Sequence, residues 1–197
     1  VLSALKHEVL PALLARRRAQ GRHRLRLWSA GCCTGEEAYS LYFLIHELLA
    51  EDAESWTVEL LGTDVNRAFL ARAAAGRYGK TAFRQTEVAF RDRYFEAEGA
   101  RWRVRAPWQD RVHFFEHNLA TGPLQWPEQN LIACDLILCR TVLMYFVPEQ
   151  ATTTLMRLWR CLAEDGLLLL GAVEAGLAAQ AGLAGSWLAS NYALRRD

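Results

Sequence analysis

At 197 residues, 52% hydrophobic and 23% charged, the chain has the composition of one soluble domain able to bury a sizeable core. A formal charge of +1 and a pI near 7.8 exclude the domain-wide basic field that holds a phosphate backbone, so nucleic acid is not an expected partner. No apolar run reaches the roughly 18 residues that cross a bilayer, and the first residues lack the order of a signal peptide. A cytoplasmic protein without membrane insertion is expected.

Leu2, Leu5, Val9, Leu10, Leu13 and Leu14 recur at helical spacing and predict a leading helix over residues 1–20, which Pro11 should kink or restart. Arg16, Arg17, Arg18, Arg22, Arg24 and Arg26 follow as a basic cluster, readable either as a solvated linker or as a contact for an acidic partner. Leu25 and Leu27 alternate in a strand over 24–29 that runs into Ala30-Gly31. Ala38, Leu41, Tyr42, Ile45, Leu48 and Leu49 then return to helical period over 36–49. A second strand over 56–62 ends at Thr63-Asp64, and Asn66 is placed to cap a helix carrying Phe69, Leu70 and Ala73 up to Gly76. This β-α-β-α order predicts an α/β fold with a parallel sheet covered by helices.

Between Arg77 and Arg111 the rhythm breaks, and Arg101-Trp102-Arg103-Val104-Arg105 alternates like an exposed strand, so residues 77–111 are predicted to form a small inserted β subdomain. Strands over 112–115 and 132–138, a helix over 148–162, a turn at Asp165-Gly166 and strands over 167–171 and 192–195 complete the pattern. The five cysteines, Cys32, Cys33, Cys134, Cys139 and Cys161, are odd in number and contain no C-x-x-C. They read as reduced, buried small hydrophobes, with no metal role.

In an open α/β sheet the ligand lies beyond the carboxyl ends of the strands, near the point where strand order reverses. Ser29 to Glu37, SAGCCTGEE, occupies the first such turn. Ala30 and Gly31 allow close approach of backbone to a ligand, Gly35 frees the turn into the helix, and Glu36 brings a carboxylate to the pocket edge. The turn is neither G-x-G-x-x-G nor a P-loop, which favours a cofactor without phosphate. Asp64, at the end of the second strand, can accept both hydroxyls of a ribose or serve as a helix cap. Asn118 follows another strand end, and its amide can read an adenine edge or simply shape a loop.

LRLWSAGCCTGEEAYSL, LLGTD, GRY, RYF, VHFFEHNL, CDLILCRTVLMYF and GLLLLGAVEAG stand in an order and spacing similar to those of chemotaxis receptor (CheR-type) methyltransferases, over about residues 5–197. The resemblance implies a Rossmann-like class I methyltransferase fold with an antiparallel last strand and a three-stranded β subdomain, and S-adenosylmethionine as methyl donor. It places the cofactor against Ala30, Gly31, Glu36, Asp64, Val65, Asn118 and Leu119. It also puts Arg140 and Tyr145 on the rim of the methyl-transfer site, where Arg140 could instead be a structural ion pair and Tyr145 a core aromatic. The expected activity is esterification of glutamate side chains on the cytoplasmic part of a methyl-accepting chemotaxis receptor.

Family members carry an N-terminal helical domain and a following arginine near the methyl; the chain as given begins after them, and Thr141 stands where the family usually has asparagine. These departures keep open a module that binds S-adenosylmethionine or S-adenosylhomocysteine and regulates without turnover. An enzyme of this fold acting on a small molecule or RNA is the further reading. Some members hold a receptor tether on a glycine-rich widening of the subdomain. Residues 94–102 contain a single glycine, so docking independent of a tether is expected.

Overall fold

Pro11 has no N–H to give to the turn behind it, and the leading helix absorbs the loss by widening into a π turn over Leu5–Val9, where the Leu10 N–H reaches the Leu5 carbonyl. Leu2–Ala4 precedes that turn and Leu10–Ala19 (α1) follows it, burying Leu10, Leu13 and Leu14. The computed structural model describes residues 2–125 and 130–196.

The strands are β1 (Arg24–Ala30), β2 (Thr57–Asp64), β3 (Arg77–Gly79), β4 (Phe95–Glu98), β5 (Arg101–Val104), β6 (Val112–Glu116), β7 (Cys134–Cys139), β8 (Leu162–Gly171), β9 (Ser186–Leu188) and β10 (Asn191–Arg195). The helices after α1 that position the site are α2 (Glu36–Leu49), α3 (Arg67–Ala75), α4 (Val88–Tyr94), α5 (Pro148–Arg160) and α6 (Ala175–Gln180). Seven strands form one sheet in the order β6-β2-β1-β7-β8-β10-β9. β1 pairs in parallel with β2 and β7, β2 with β6, and β7 with β8, whereas β10 runs antiparallel to both β8 and β9. Strand β7 is buried at every residue, as expected of a central parallel strand covered on both faces.

The insertion forms a separate sheet in the order β3-β5-β4. It is joined to the body by stacked aromatic rings. Phe43 on α2 lies face to face with Tyr94 at a centroid separation of 4.1 Å and meets Phe90 and Phe95 edge-on. The Tyr94 hydroxyl is 3.0 Å from His46 Nδ1.

Four sequence expectations change. The basic cluster divides: Arg17 is 1% exposed and paired with Asp135 of β7, whereas Arg18, Arg22 and Arg24 stay at the surface as a solvated linker would, Arg18 meeting Asp52 and Arg24 sharing Glu59 with the half-buried Arg26. The Asp165-Gly166 turn is a bulge within β8, where Asp165 has φ +63° and the register against β7 shifts between Cys134 and Leu136. Cys33 is exposed at a φ of +51°, while the other four thiols are buried; all five are free. Helix α4 inside the insertion, helix α6 and strand β9 have no counterpart among the predicted elements.

Candidate functional site

Strand order reverses between β1, which leads outward through β2 and β6, and β7, which leads the other way through β8. The loops that leave these strands converge there on a cleft of about 570 Å³, lined by Gly31, Cys33, Asp64, Val65, Asn66, Phe69, His117, Asn118, Leu119, Thr141, Val142, Tyr145 and Phe146.

Each loop is held by a specific bond. The Gly31 and Cys32 N–H groups both donate to the Thr63 carbonyl at 2.8 Å, which bends the chain sharply out of β1. Gly31 takes φ +77°, and a β-carbon there would lie 2.5 Å from a Val142 methyl, so the turn and the loop after β7 touch only because no side chain separates them. Asp64 accepts from the Cys33 N–H at 3.0 Å through one oxygen and from the Asn66 N–H at 2.9 Å through the other. Each oxygen keeps lone pairs for a ligand hydroxyl. Asn66 in turn caps α3, accepting from Ala68 and Phe69. The inserted subdomain reaches the same place: the Tyr78 hydroxyl of β3 donates to the Thr34 carbonyl at 2.9 Å and braces the turn from behind.

Gly31, Asp64, Val65, Asn118, Leu119 and Tyr145 therefore share one lining. Three other candidates lie off it. Ala30 is buried in the end of β1. Glu36 is exposed and accepts from the Thr34 hydroxyl at 2.6 Å. Arg140 is turned to Glu37, with Nη1 2.9 Å from Oε2, and its Nε donates to Asn191 Oδ1 at 3.2 Å. Glu37, not singled out from sequence, also accepts from the Ser29 hydroxyl at 2.9 Å. Adjacent helix residues project about 100° apart, so the first turn of α2 presents only one of its two carboxylates to β7. His117, at the cleft floor, has its pKa pushed down to about 4, by burial first and by the Arg157 guanidinium second.

The lining carries one carboxylate, Asp64, and, among the described residues, neither Lys nor Arg. Val65, Phe69, Leu119, Val142 and Phe146 supply its apolar walls. That chemistry fits a nucleoside with an apolar base face and a cationic tail, and it fits a phosphate poorly.

Sheet order, the single antiparallel strand and an apolar, singly acidic cleft at the switch point define a class I S-adenosylmethionine-dependent methyltransferase fold. The family model described as CheR methyltransferase, SAM binding domain, matches residues 1–181, and the chain belongs to that family. Its cofactor is S-adenosylmethionine. Chemotaxis protein methyltransferase 1 of Pseudomonas aeruginosa is 37% identical over 175 residues, 87% of this chain and 61% of that protein. A chemotaxis protein methyltransferase of Listeria monocytogenes is 31% identical over 171 residues, 87% of this chain and 60% of that protein. The chain spans about three fifths of the length of these curated relatives.

Proposed function

We propose that this domain methylates glutamate side chains on the cytoplasmic part of a chemotaxis receptor, as a protein-glutamate O-methyltransferase. The observation that carries the reading is the cleft itself: an apolar, singly acidic nucleoside pocket whose open side is formed by the loop bearing an exposed tyrosine. Asp64 would accept the ribose hydroxyls, Asn118 would face the adenine edge, and Gly31, Val65 and Leu119 would supply the walls; Ala30 and Glu36 would shape the turn. When bound, S-adenosylmethionine supplies an electrophilic methyl group.

The acceptor asks little of the protein, because a glutamate carboxylate, with a reference pKa near 4.3, is already ionised at neutral pH and needs no general base. Alignment and exclusion of water then carry the rate. Tyr145, 77% exposed at the cleft mouth, can donate a hydrogen bond to the incoming carboxylate. Arg140, held by Glu37 and Asn191, stiffens the chain that leads to it. In the subdomain, β4 and β5 are joined through only Gly99 and Ala100, which leaves little edge for adding a tether strand, so docking independent of a tether is part of this reading. Micromolar affinity for a receptor C-terminal pentapeptide would contradict that part.

The test is transfer of labelled methyl groups to a receptor cytoplasmic fragment, read as base-labile ester. Tyr145→Phe should leave S-adenosylhomocysteine affinity within about twofold and lower transfer by roughly tenfold or more, the pattern of a group that acts on the acceptor. Cofactor binding with no transfer to any receptor fragment would favour the regulatory module instead.

A further inference from the structure

The loop after β7 contains an unusual backbone: Thr141 has φ +58°. A β-branched side chain is crowded in that left-handed region, and such a residue persists only when its surroundings fix it. Both neighbours of Thr141 are held by glutamates distant in sequence. On one side the Arg140 guanidinium is pinned to Glu37. On the other the Val142 N–H donates to Glu174 Oε1 at 2.8 Å.

Glu174 follows β8 and is fully buried. Its second oxygen, Oε2, has no hydrogen-bond partner. A buried carboxylate with a bare oxygen is costly to keep. The backbone also makes room for it: a β-carbon at Gly171 would stand 2.5 Å from Glu174 Oε2 and 3.3 Å from the Thr141 nitrogen. The fully buried Cys139 thiol ends β7, and its pKa is raised by burial first and then by Glu174 and Glu37. Packing alone would be better served by an apolar side chain at position 174. The retained bond is to the amide that fixes Val142 against Gly31 and sets the direction in which the chain continues through the Leu143–Tyr145 turn.

We infer that Glu174, with Glu37 acting through Arg140, is a positioning residue: the two carboxylates clamp the strained Arg140-Thr141-Val142 turn so that Tyr145 is presented at the mouth of the cleft. This rests on the methyl-transfer reading for its catalytic consequence, while the clamp itself is independent of it. Glutamine at 174 keeps an acceptor for the Val142 amide and offers its NH2 where Oε2 now stands; alanine keeps neither.

In the full protein, Glu174→Ala should lower kcat for receptor methylation at least about thirtyfold, with the KM for S-adenosylmethionine changed less than about threefold. Glu174→Gln should recover most of the lost rate. The Val142 amide should exchange with solvent at least tenfold faster in the alanine variant and near the wild-type rate in the glutamine variant. A folded alanine variant with unchanged kcat and unchanged Val142 exchange would overturn the inference. So would a glutamine variant as impaired as alanine, since charge and not the hydrogen bond would then be responsible. If the wild type transfers no methyl group but the exchange pattern holds, the clamp stands and the proposed reaction falls. Should a variant unfold, Glu37→Gln is read in the same way through the kcat and KM split.

Discussion

The aromatic wedge between α2 and the inserted subdomain and the loop after β7 are built by opposite means. Phe43 in the wedge is 1% exposed and touches the rings of Tyr39, Tyr42, Phe90, Tyr94 and Phe95, so it is held by many neutral contacts. Thr141 and Tyr145 sit in a turn held by a few directed bonds to carboxylates, with Met144, Tyr145 and Val147 facing solvent. The wedge gives up nothing to stay folded. The loop keeps strain and buried acid at the edge of the cleft, which is the pattern expected when geometry matters more than stability.

The contrast breaks first at the wedge. Phe43→Ala should destabilise the protein by about 3–5 kcal/mol, the range for deleting a buried aromatic ring, as measured by denaturant unfolding. A loss under about 1 kcal/mol would mean that the subdomain is loosely attached.

The second test uses His117, whose pKa falls from 6.5 to about 4 in the folded protein. Below pH 6.5 the unfolded chain takes up a proton that the folded chain refuses until about pH 4, so this contribution is complete above pH 6.5 and is lost as pH falls through that window. At about 1.4 kcal/mol per unit the loss is at most about 3.5 kcal/mol. Unfolding free energies at pH 7, 6 and 5 should decline, and His117→Gln should flatten the slope. An unchanged slope in that variant would place the proton elsewhere.

Asp64→Ala addresses the cleft directly. It should weaken S-adenosylhomocysteine binding by about 1.5–3 kcal/mol, the scale of lost charged hydrogen bonds, measured by calorimetry. Near-wild-type affinity would remove Asp64 from the binding site. The smallest effect is expected at Thr141. Thr141→Asn should raise stability by about 1 kcal/mol, because asparagine tolerates the left-handed region that threonine resists. No gain would show that the turn carries no strain.

What the sequence made legible follows from distance along the chain. Helix α2 was bounded at residues 36–49 because its apolar period is unbroken, and Asn66 was read as a cap because its partners lie two and three residues on. The Arg17 pairing was not legible, since Asp135 lies 118 positions away and nothing local distinguishes a buried arginine from its exposed neighbours. Strand β9, three residues long, is too short to show alternation. At the site, Gly31, Asp64 and Asn118 were legible because they stand at or just beyond strand ends, where the rule of the switch point applies, whereas Val65 and Leu119 came only from the family resemblance. Glu37 and Glu174 escaped because their partners, Arg140 and Val142, come from other strands' loops.

The place of β10 in the sheet sets the order in which the molecule can be assembled during synthesis. β10 lies between β8 and β9 and runs against both, so β9 leaves the ribosome with no strand to pair with, and β8 waits with one open edge. The half of the cleft made by β1, β2 and β6 can form long before that edge is covered. Residues 191–195 close the sheet as a last wedge, and until they arrive the nascent chain carries a ready template for wrong pairing.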